Sequence, residues 1–372
     1  MEERKKVLIA GDLGVVGFAA AKRFSQLSEW DVVGISRRTP QRSHGREHVS
    51  VDLQDKEQCA ELFSQMQDVT HVIYAALYEK PGLIPGWSEP DQMDTNLNML
   101  QNLVEPLEKA ATNLEHFILM QGTKAYGVHV EPMKLPGKER EPRHQHENFY
   151  WMQEDYLREK QENGHGWGWT ILRPQIVCGE AVGSNMNPVA AIGAYAALKR
   201  HAGEPLDFPG QADFLAEYVD ADLLARAMEW VMGTPQKTRG EYFNVTNGDV
   251  FIMRNGWPTI ADAFGMEVGE NKPMSLADDM PEHQEEWEEI VREFDLQTPT
   301  DLKEFIGQSG IYADFCLGYG FEELPPMLSS TIKIRQAGFQ DCIDTEDMFR
   351  KWIAHFQQER LLPPVTVRPS PT

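Results

Sequence analysis

Short apolar runs alternate with amphipathic segments through the first half of the chain. The apolar runs predict strands at 6–11, 30–36, 47–53, 70–76, 115–122 and 168–179. The segments between them carry apolar residues at helical spacing and predict helices at 18–28, 55–66, 93–111 and from Tyr150 to about Gln161. Short strands that alternate with helices form a parallel sheet covered by helices on both faces. The pattern therefore predicts a doubly wound parallel α/β fold.

The rhythm changes at about residue 180. Apolar helices are predicted at 187–203 and 221–233, a short strand at 241–247 and an acidic amphipathic segment at 281–305. We interpret this half as a smaller, mainly helical C-terminal lobe that is interleaved with the last strands of the sheet. The predicted domains are 1–180, to which some later segments return, a lobe over 181–360, and a mobile Pro-rich tail over 361–372.

Composition disfavours a nucleic-acid-binding, a membrane-spanning and a secreted protein. Of the 372 residues 41% are hydrophobic, enough for a large core, and the net charge of −23 disfavours nucleic acid and anionic membranes as partners. No apolar stretch reaches the roughly 18 residues that a membrane span needs, and the apolar run before Gly11 predicts a buried strand rather than a signal peptide. The four cysteines lie far apart without a CxxC pair, which favours reduced thiols. We therefore expect a soluble, cytoplasmic protein.

A glycine-rich segment, AGDLGVVGFAAA, joins the first predicted strand to the first helix. Its glycines allow a tight turn, close approach of the backbone to a pyrophosphate, and close packing of the helix. The N-terminus of that helix offers N–H groups and a favourable dipole to the same phosphates. The segment thus predicts a Rossmann-type dinucleotide site over Gly11, Leu13, Gly14, Val15, Val16 and Gly17.

The second strand ends in GISRR, which decides the expected cofactor. An acid at this point would accept hydrogen bonds from the ribose hydroxyls of NADH, whereas Arg attracts the 2′-phosphate of NADPH. Ser36, Arg37 and Arg38 stand here without an acid, so NADPH is favoured. Further cofactor contacts are expected after the third, fourth and fifth strands, at Asp52, Leu53, Ala75, Ala76 and Gln121.

The helix predicted at Tyr150 carries an incomplete catalytic pattern. Many nicotinamide-dependent reductases pair a Tyr with a Lys four residues later, but Glu154 stands at that position. Lys124 directly follows the fifth predicted strand, within GTKAYG. A Lys at this strand end supplies positive charge that favours a developing oxyanion and lowers the pKa of a nearby Tyr. Tyr150 and Lys124 are therefore the candidate catalytic pair, and Tyr150 is also expected to contact the cofactor.

These motifs resemble a known family. The glycine segment, LRPQIVCG and YVDADLLARAM are similar to the extended short-chain dehydrogenase/reductases. Within them, GTKAYG, NFYWMQED, ISRR and YFNVTNGDVF resemble the progesterone 5β-reductase/iridoid synthase-like (PRISE) enzymes, and the resemblance runs from residue 7 to about 358. In that family the YxxxK pattern is broken, and Lys124 and Tyr150 match its Lys and first Tyr. The second Tyr of the family segment is Trp151 here.

The resemblance implies an activity. It implies NADPH-dependent reduction of an activated C=C bond, by 1,4-addition of hydride to a small-molecule enone or enal, and it makes a homodimer plausible. It also implies that the segment containing Pro174 and Ile176 passes the nicotinamide. Apolar side chains beside the site, Phe149, Trp151 and Met152, are candidates for lining a substrate pocket, with core packing as the alternative reading for each.

Other functions stay open. A carbonyl reductase or sugar-nucleotide epimerase of the same fold normally keeps Ser or Thr at the fifth strand and the helical YxxxK, and both are altered here. An NADPH-binding redox sensor without catalysis is a third reading, against which the presence of Tyr150 and Lys124 argues. No metal site is expected, because His144 and His146 lack a completing cysteine or carboxylate cluster.

Overall fold

The computed structural model of the protein describes residues 4–40 and 46–365. Its strands are β1 (Lys5–Ala10), β2 (Trp30–Ser36), β3 (Glu47–Ser50), β4 (His71–Tyr74), β5 (His116–Met120), β6 (Gly168–Pro174), β7 (Ile176–Cys178), β8 (Leu206–Phe208), β9 (Tyr218–Asp220), β10 (Glu241–Val245) and β11 (Val268–Asn271). Its α-helices are α1 (Val15–Ser25), α2 (Lys56–Phe63), α3 (Pro90–Ala110), α4 (Phe149–Glu162), α5 (Pro188–His201), α6 (Ala221–Gly233), α7 (Pro235–Thr238), α8 (Met253–Ala263), α9 (Leu276–Asp279), α10 (Gln284–Glu293), α11 (Leu302–Ile306), α12 (Ser309–Cys316), α13 (Ile332–Ala337) and α14 (Thr345–Gln358). Short 3-10 turns lie at Pro85–Ser88, Thr123–Tyr126 and Met280–His283.

One seven-stranded sheet organises the first part of the chain. Its order is β10-β6-β5-β4-β1-β2-β3, and each neighbouring pair is parallel. The chain runs outwards from β1 to β3 and then returns to the other side of β1 with β4. Ligands of such sheets bind beyond the carboxyl ends of the strands at this reversal. The predicted doubly wound α/β fold is confirmed.

The sheet forms because its central strands bury both faces. In β1 every residue from Val7 to Ala10 is fully buried, and β4 and β6 are buried along their whole length. Helix α1 packs on β1 and β2 and against α6, whereas α3 packs against α2 and α4. Leu100, Leu103 and Leu107 of α3 join the strands in one hydrophobic cluster. Burial on both faces explains why these strands read as unbroken apolar runs.

The single strand predicted over 168–179 is wrong. The chain leaves the large sheet after Pro174, and β7 begins at Ile176 and pairs with β9 in a separate two-stranded sheet. Between them, the buried Gln175 side chain donates a hydrogen bond to Ser329 Oγ at 3.0 Å. Pro174 has no N–H for the sheet ladder, so the strand ends there. An apolar run gives no sign of such a change of sheet.

The described chain divides into two compact units, each made of separate segments. The first contains the residues up to Gln175 together with 221–246 and 329–342. The second contains 176–220, 247–328 and the residues from Ile343 onwards. The large sheet with its last strand, β10, belongs to the first unit.

The second unit is mainly helical. Helix α5 is buried from Pro188 to Leu198 on all sides, as expected for a helix at the centre of a packed unit. Helix α14 is held by its Lys351, whose ammonium lies 2.8 Å from Asp220, and by His355, which lies 2.6 Å from Glu180. Two short parallel strand pairs, β7 with β9 and β8 with β11, complete the unit.

The C-terminal segment is anchored before the described residues end. Leu361 and Leu362 are fully buried, and Leu362 packs against Gly193 of α5. The predicted tail includes 366–372, which lie outside the described residues. In the described ranges, no helix combines the length and the apolar character required to cross a bilayer.

Substitutions at Gly17 and Gly14 test how tightly α1 packs against the glycine loop. A Cβ on Gly17 would lie 2.2 Å from the carbonyl oxygen of Gly11, whereas a Cβ on Gly14 would lie 3.4 Å from it. We expect Gly17→Ala to lower the free energy of unfolding by about 1–3 kcal/mol because the helix must shift. Gly14→Ala is the matched control and should cost less than about 1 kcal/mol. Urea denaturation followed by circular dichroism measures both, and equal losses would contradict the packing described here.

Candidate active site

The glycine loop connects β1 to α1 at the reversal of the strand order. Gly11 adopts a positive φ of 84°, and a Cβ there would lie 2.8 Å from the Ala75 carbonyl oxygen. Helix α1 starts after Gly14 without a side-chain cap from the described residues, and its first turn carries no acid. Its free N–H groups and dipole therefore suit an anion. Of the other predicted loop residues, Val15 is buried, and Leu13 and Val16 are half-buried.

Asp12 lies inside this loop and was not predicted as part of the site. Its buried carboxylate is 2.9 Å from His48 Nδ1 and 3.8 Å from Arg46 Nη2. Gly34 leaves the space that the carboxylate occupies, because a Cβ there would lie 2.1 Å from Asp12 Oδ2. The positive charge of Arg46 partly offsets that of the acid beside the loop. The partners follow Asp12 by more than 30 residues, which no local pattern reveals.

The arginine turn after β2 is fixed through its backbone. Ser50 Oγ donates to the Arg37 carbonyl oxygen at 2.9 Å, and Ser36 Oγ donates to that of Arg38 at 2.9 Å. The Arg38 carbonyl oxygen also lies 3.1 Å from His48 Nε2. Both arginines are exposed. The turn is thus held in place by its backbone while both arginines stay exposed, which suits a site for a phosphate.

The remaining predicted cofactor residues differ in how they are placed. Asp52 is half-buried and its carboxylate caps the Gln54 N–H, whereas the Leu53 side chain packs in the core. Ala75 and Ala76 are half-buried directly after β4, beside Gly11. Pro174 ends β6, and its carbonyl oxygen lies near Gly122. Ile176 begins β7 in the second unit, and its part in cofactor binding stays a prediction.

Lys124 lies in the 3-10 turn that follows β5, with its side chain 11% exposed. Its Nζ is 3.6 Å from Glu79 Oε1 and 4.3 Å from the centre of the Trp87 ring. It also lies 5.5 Å from the ring of Phe149 and 5.6 Å from that of Tyr150. Burial lowers the pKa of Lys124, and the charge of Glu79 opposes that effect. The amino group of Lys124 is therefore held among aromatic rings and beside a carboxylate at the end of the strand.

Tyr150 stands in the first turn of α4 and is buried. A Cβ on Gly122 would lie 3.3 Å from the Tyr150 hydroxyl and 3.4 Å from the Pro174 carbonyl oxygen. The glycine therefore keeps the space in front of the phenol free of a side chain. Burial raises the pKa of Tyr150, the charge of Glu79 raises it further, and Arg173 lowers it. The phenol stays protonated at neutral pH, which suits a hydrogen-bond donor.

Asn148 ties the two candidate residues together. As the N-cap of α4, its Oδ1 accepts a hydrogen bond from the Tyr150 N–H at 3.0 Å. Its Nδ2 donates to the Lys124 carbonyl oxygen at 3.3 Å and lies 3.1 Å from His146 Nε2. An Asn before a helix is a recognisable cap signal, so sequence could have identified it. The structure thus brings Lys124 and Tyr150 together, as the sequence predicted for their positions.

Glu154, at the position where a helical Lys is usual, has a different role. Its carboxylate is 2.6 Å from Arg143 Nη2, 3.2 Å from Arg158 Nε and 4.0 Å from Arg173 Nη2. It also accepts a hydrogen bond from the Tyr242 hydroxyl at 2.6 Å. Glu154 is buried, so it acts as the anionic centre that joins α4 to the ends of β6 and β10.

The predicted Gln121 belongs to the same network. Its Oε1 accepts from Arg173 Nε at 2.9 Å, and its Nε2 lies 3.3 Å from Glu154 Oε2. The side-chain amide is therefore engaged within the protein. Its predicted contact with the cofactor stays untested.

The predicted substrate residues lie around the candidate pair. Phe149 and Trp151 are buried in one cluster with Tyr150, and Met152 is half-buried against it. The Phe149 and Tyr150 rings meet edge to face at 4.6 Å, and Trp151 lies under the Arg143 guanidinium at 5.1 Å. All three therefore pack within the protein, and the lining of a substrate pocket by them stays a prediction.

Comparisons with known proteins place the chain in a family and show its fold. A sequence profile of the PRISE-like Rossmann-fold domain matches residues 47–356. A 3-oxo-Δ(4,5)-steroid 5-beta-reductase of Arabidopsis thaliana is 31% identical, over 96% of this chain and 92% of its own. An (S)-8-oxocitronellyl enol synthase of Nepeta racemosa is also 31% identical, with the same coverage. Among solved structures, UDP-glucose 4-epimerase from Bifidobacterium longum in complex with NAD⁺ and UDP matches with a TM-score of 0.66 at 15% identity, over 96% of this chain and 99% of that one. The last comparison shows the fold alone.

Glu154→Gln tests the arginine network. Removing one partner of a buried ion pair commonly costs roughly 3–5 kcal/mol, and we expect about 3 kcal/mol because Arg143 and Arg158 are partly exposed. Glu159→Gln, an exposed site on the same helix, is the matched control and should stay within about 0.5 kcal/mol of the wild type. Denaturant titrations measure both, and a difference below 1 kcal/mol between them would rule out a stabilising role for the network.

Proposed function

Because the chain belongs to the family of PRISE-like Rossmann-fold proteins, we propose that it is an NADPH-dependent reductase of activated C=C bonds. It would add hydride in a 1,4 sense to a small-molecule enone or enal. The observation that carries the proposal is the meeting of Lys124 and Tyr150, from separate chain segments, in one buried aromatic cluster. The name of the Arabidopsis relative describes a reductase acting on a steroid with a 3-oxo group beside a 4,5 double bond.

The residues present fit a dinucleotide. The loop at Gly11 leaves no room for a side chain, and the uncapped N-terminus of α1 offers N–H groups to a pyrophosphate. Arg37 and Arg38, with Ser36, would hold the 2′-phosphate that distinguishes NADPH from NADH. Bound NADPH would supply the hydride that adds to the β-carbon of the substrate.

The chain's own residues would act on the oxygen. As the β-carbon receives hydride, negative charge collects on the carbonyl oxygen of the substrate. The Tyr150 hydroxyl would donate a hydrogen bond to that oxygen, and the Lys124 ammonium would supply positive potential from within the same cluster. The aromatic surroundings exclude water, so each interaction is stronger than it would be in solvent. The α-carbon of the enolate would then take a proton from water, leaving hydroxide, to give the saturated carbonyl compound.

The proposal also covers the substrate lobe, the cellular location and the oligomeric state of the enzyme. The second unit is the proposed substrate lobe, and a cytoplasmic location is supported by the four free cysteines, three of which are buried. A homodimer remains part of the proposal through family resemblance alone. Carbonyl reduction and epimerisation are the competing activities, and Glu154 in its arginine network argues against the helical YxxxK that they normally use.

Product analysis tests the proposed activity. Protein and NADPH are incubated with a panel of cyclic and acyclic enones, enals and simple aldehydes, and the products are identified. Saturated carbonyl compounds support the proposal, alcohols support carbonyl reduction, and no NADPH oxidation supports a sensor.

Tyr150→Phe should lower turnover by roughly 10²–10³ and leave NADPH affinity nearly unchanged, because one oxyanion donor is lost. Tyr156→Phe is the matched control, since it removes a hydroxyl from the same helix without a hydrogen-bond partner among the described residues. Full activity in Tyr150→Phe would remove Tyr150 from the mechanism.

Arg38→Asp tests the choice of cofactor. The substitution replaces attraction of the 2′-phosphate by repulsion, and a charge-assisted hydrogen bond contributes about 1.5–3 kcal/mol. We expect the preference for NADPH over NADH, measured as the ratio of kcat/KM values, to fall by roughly 10- to 100-fold. Lys109→Asp makes the same charge change at an exposed position of α3 and should leave the ratio unaltered. An unchanged ratio in Arg38→Asp would place the 2′-phosphate elsewhere.

A further inference from the structure

A fully buried carboxylate, Glu79, lies beside the candidate catalytic lysine. It follows β4, and its side chain has no exposed surface. Its Oε1 lies 3.6 Å from Lys124 Nζ and accepts a hydrogen bond from Trp87 Nε1 at 3.2 Å. Its Oε2 accepts one from Gln92 Nε2 at 2.6 Å. The carboxylate is thus held from three sides by groups on three different chain segments.

The ammonium has few other polar neighbours. Lys124 Nζ is buried and has no hydrogen-bond partner within the described ranges. The rings of Trp87, Phe149 and Tyr150 surround it at 4.3, 5.5 and 5.6 Å. Ring faces attract a cation, but they replace only part of the hydration that burial removes. A buried Lys without an anion nearby tends to lose its proton.

We propose that Glu79 is a positioning residue that keeps Lys124 protonated and fixes its ammonium against the Tyr150 ring. Its effect on turnover rests on the proposed reductase function, in which Lys124 must carry a positive charge. Glu79 itself acts through Lys124 and is not assigned a contact with the substrate. The buried pair is neutral as a whole, which avoids an uncompensated charge in the resting site.

The proposal assigns the negative charge of the pair to Glu79, and none of the other titratable groups that the described residues place around it is an anion. Tyr150 faces it from α4 with its pKa raised by burial, so the phenol is neutral. His129, on the loop after the Lys124 turn, has its pKa lowered to about 4 by burial and by neighbouring positive groups, so it is neutral as well. Arg173, at the end of β6, is positive and acts on Tyr150. Burial raises the pKa of Glu79, and the charge of Lys124 opposes that rise.

The direction of the effect follows from these charges. Burial lowers the pKa of Lys124, and Glu79 raises it. If Glu79 loses its charge, burial still lowers the pKa of Lys124 but the opposing effect of Glu79 is gone. Lys124 then gives up its proton at a lower pH. Turnover that depends on the ammonium is then lost at a lower pH on the alkaline side.

Glu79→Gln tests the inference without depending on activity. The protein is labelled with ¹³Cε-lysine, Lys124→Met identifies the signal, and the signal is titrated by NMR in the wild type and the variant. Because an opposite charge at this distance shifts a titration by about 1–3 pH units, the Lys124 midpoint should fall by that amount in Glu79→Gln. Glu89→Gln removes a carboxylate that pairs with Lys80 on the same segment and should leave the midpoint unchanged. An unchanged midpoint in Glu79→Gln would overturn the inference.

The pH profile of kcat supplies the second measurement. In Glu79→Gln the alkaline limb should move to lower pH by the same amount, with turnover approaching that of the wild type at the acid end. A loss of equal size at every pH would indicate a structural role and overturn the inference. In a Lys124→Met background, Glu79→Gln should change neither the rate nor the profile further.

The experiment also covers a variant that does not fold and a wild type without the proposed activity. If Glu79→Gln does not fold, Glu79→Asp retains the charge at a greater distance and should lower the midpoint by less than 1 pH unit, whereas a larger fall would count against the inference. If the wild type reduces no enone or enal, the proposed function fails. The NMR midpoints still decide whether Glu79 controls the charge of Lys124.

Discussion

The side-chain amide of Asn148 joins the two segments on which the candidate chemistry depends. Its oxygen receives the N–H of Tyr150, and its nitrogen donates to the carbonyl oxygen of Lys124. The cap therefore starts helix α4 and fixes the turn after β5 in the same step. Because both bonds come from one planar group, the backbone at Tyr150 and the backbone at Lys124 are linked to each other. The segments that carry Lys124 and Tyr150 are consequently positioned by this junction, and the contacts of each side chain place the ammonium and the phenol.

Because the candidate lysine follows a strand and does not stand on the helix, the position four residues after Tyr150 is open to another residue type. In the usual arrangement a Lys occupies the residue four positions after the Tyr, and that position must face the site. Here the same position holds Glu154, which collects Arg143, Arg158 and Arg173 around one carboxylate. Helix α4 thereby gains an electrostatic attachment to the neighbouring strands. In the proposed mechanism the positive charge near the substrate oxygen comes from Lys124 on a different segment, beside the carboxylate of Glu79.

Sequence patterns over a few neighbouring residues predicted the strands of the large sheet and the glycine loop. The strands of the large sheet and the glycine loop were recognisable because burial, chain reversal and helix packing restrict neighbouring residues. Lys124 was found because it directly follows a predicted strand, and Tyr150 because it stands on the helix that comes next in the chain. In contrast, the pairing of Asp12 with His48 and the burial of Glu79 beside a lysine depend on residues far apart in the chain. The end of β6 at Pro174 was missed because the apolar run continues beyond it.

The first unit is built from three separate segments of the chain. This affects the order in which the unit is synthesised and where the chain can be cut into fragments. Its outermost strand, β10, and helix α6, which packs on α1, are synthesised only after the chain has already entered the second unit. A ribosome-bound chain that has emerged as far as Gln175 thus lacks one edge strand, and β6 would expose its unpaired N–H and C=O groups. No single cut separates the two units into complete pieces. Fragments designed by sequence boundaries would leave the sheet open.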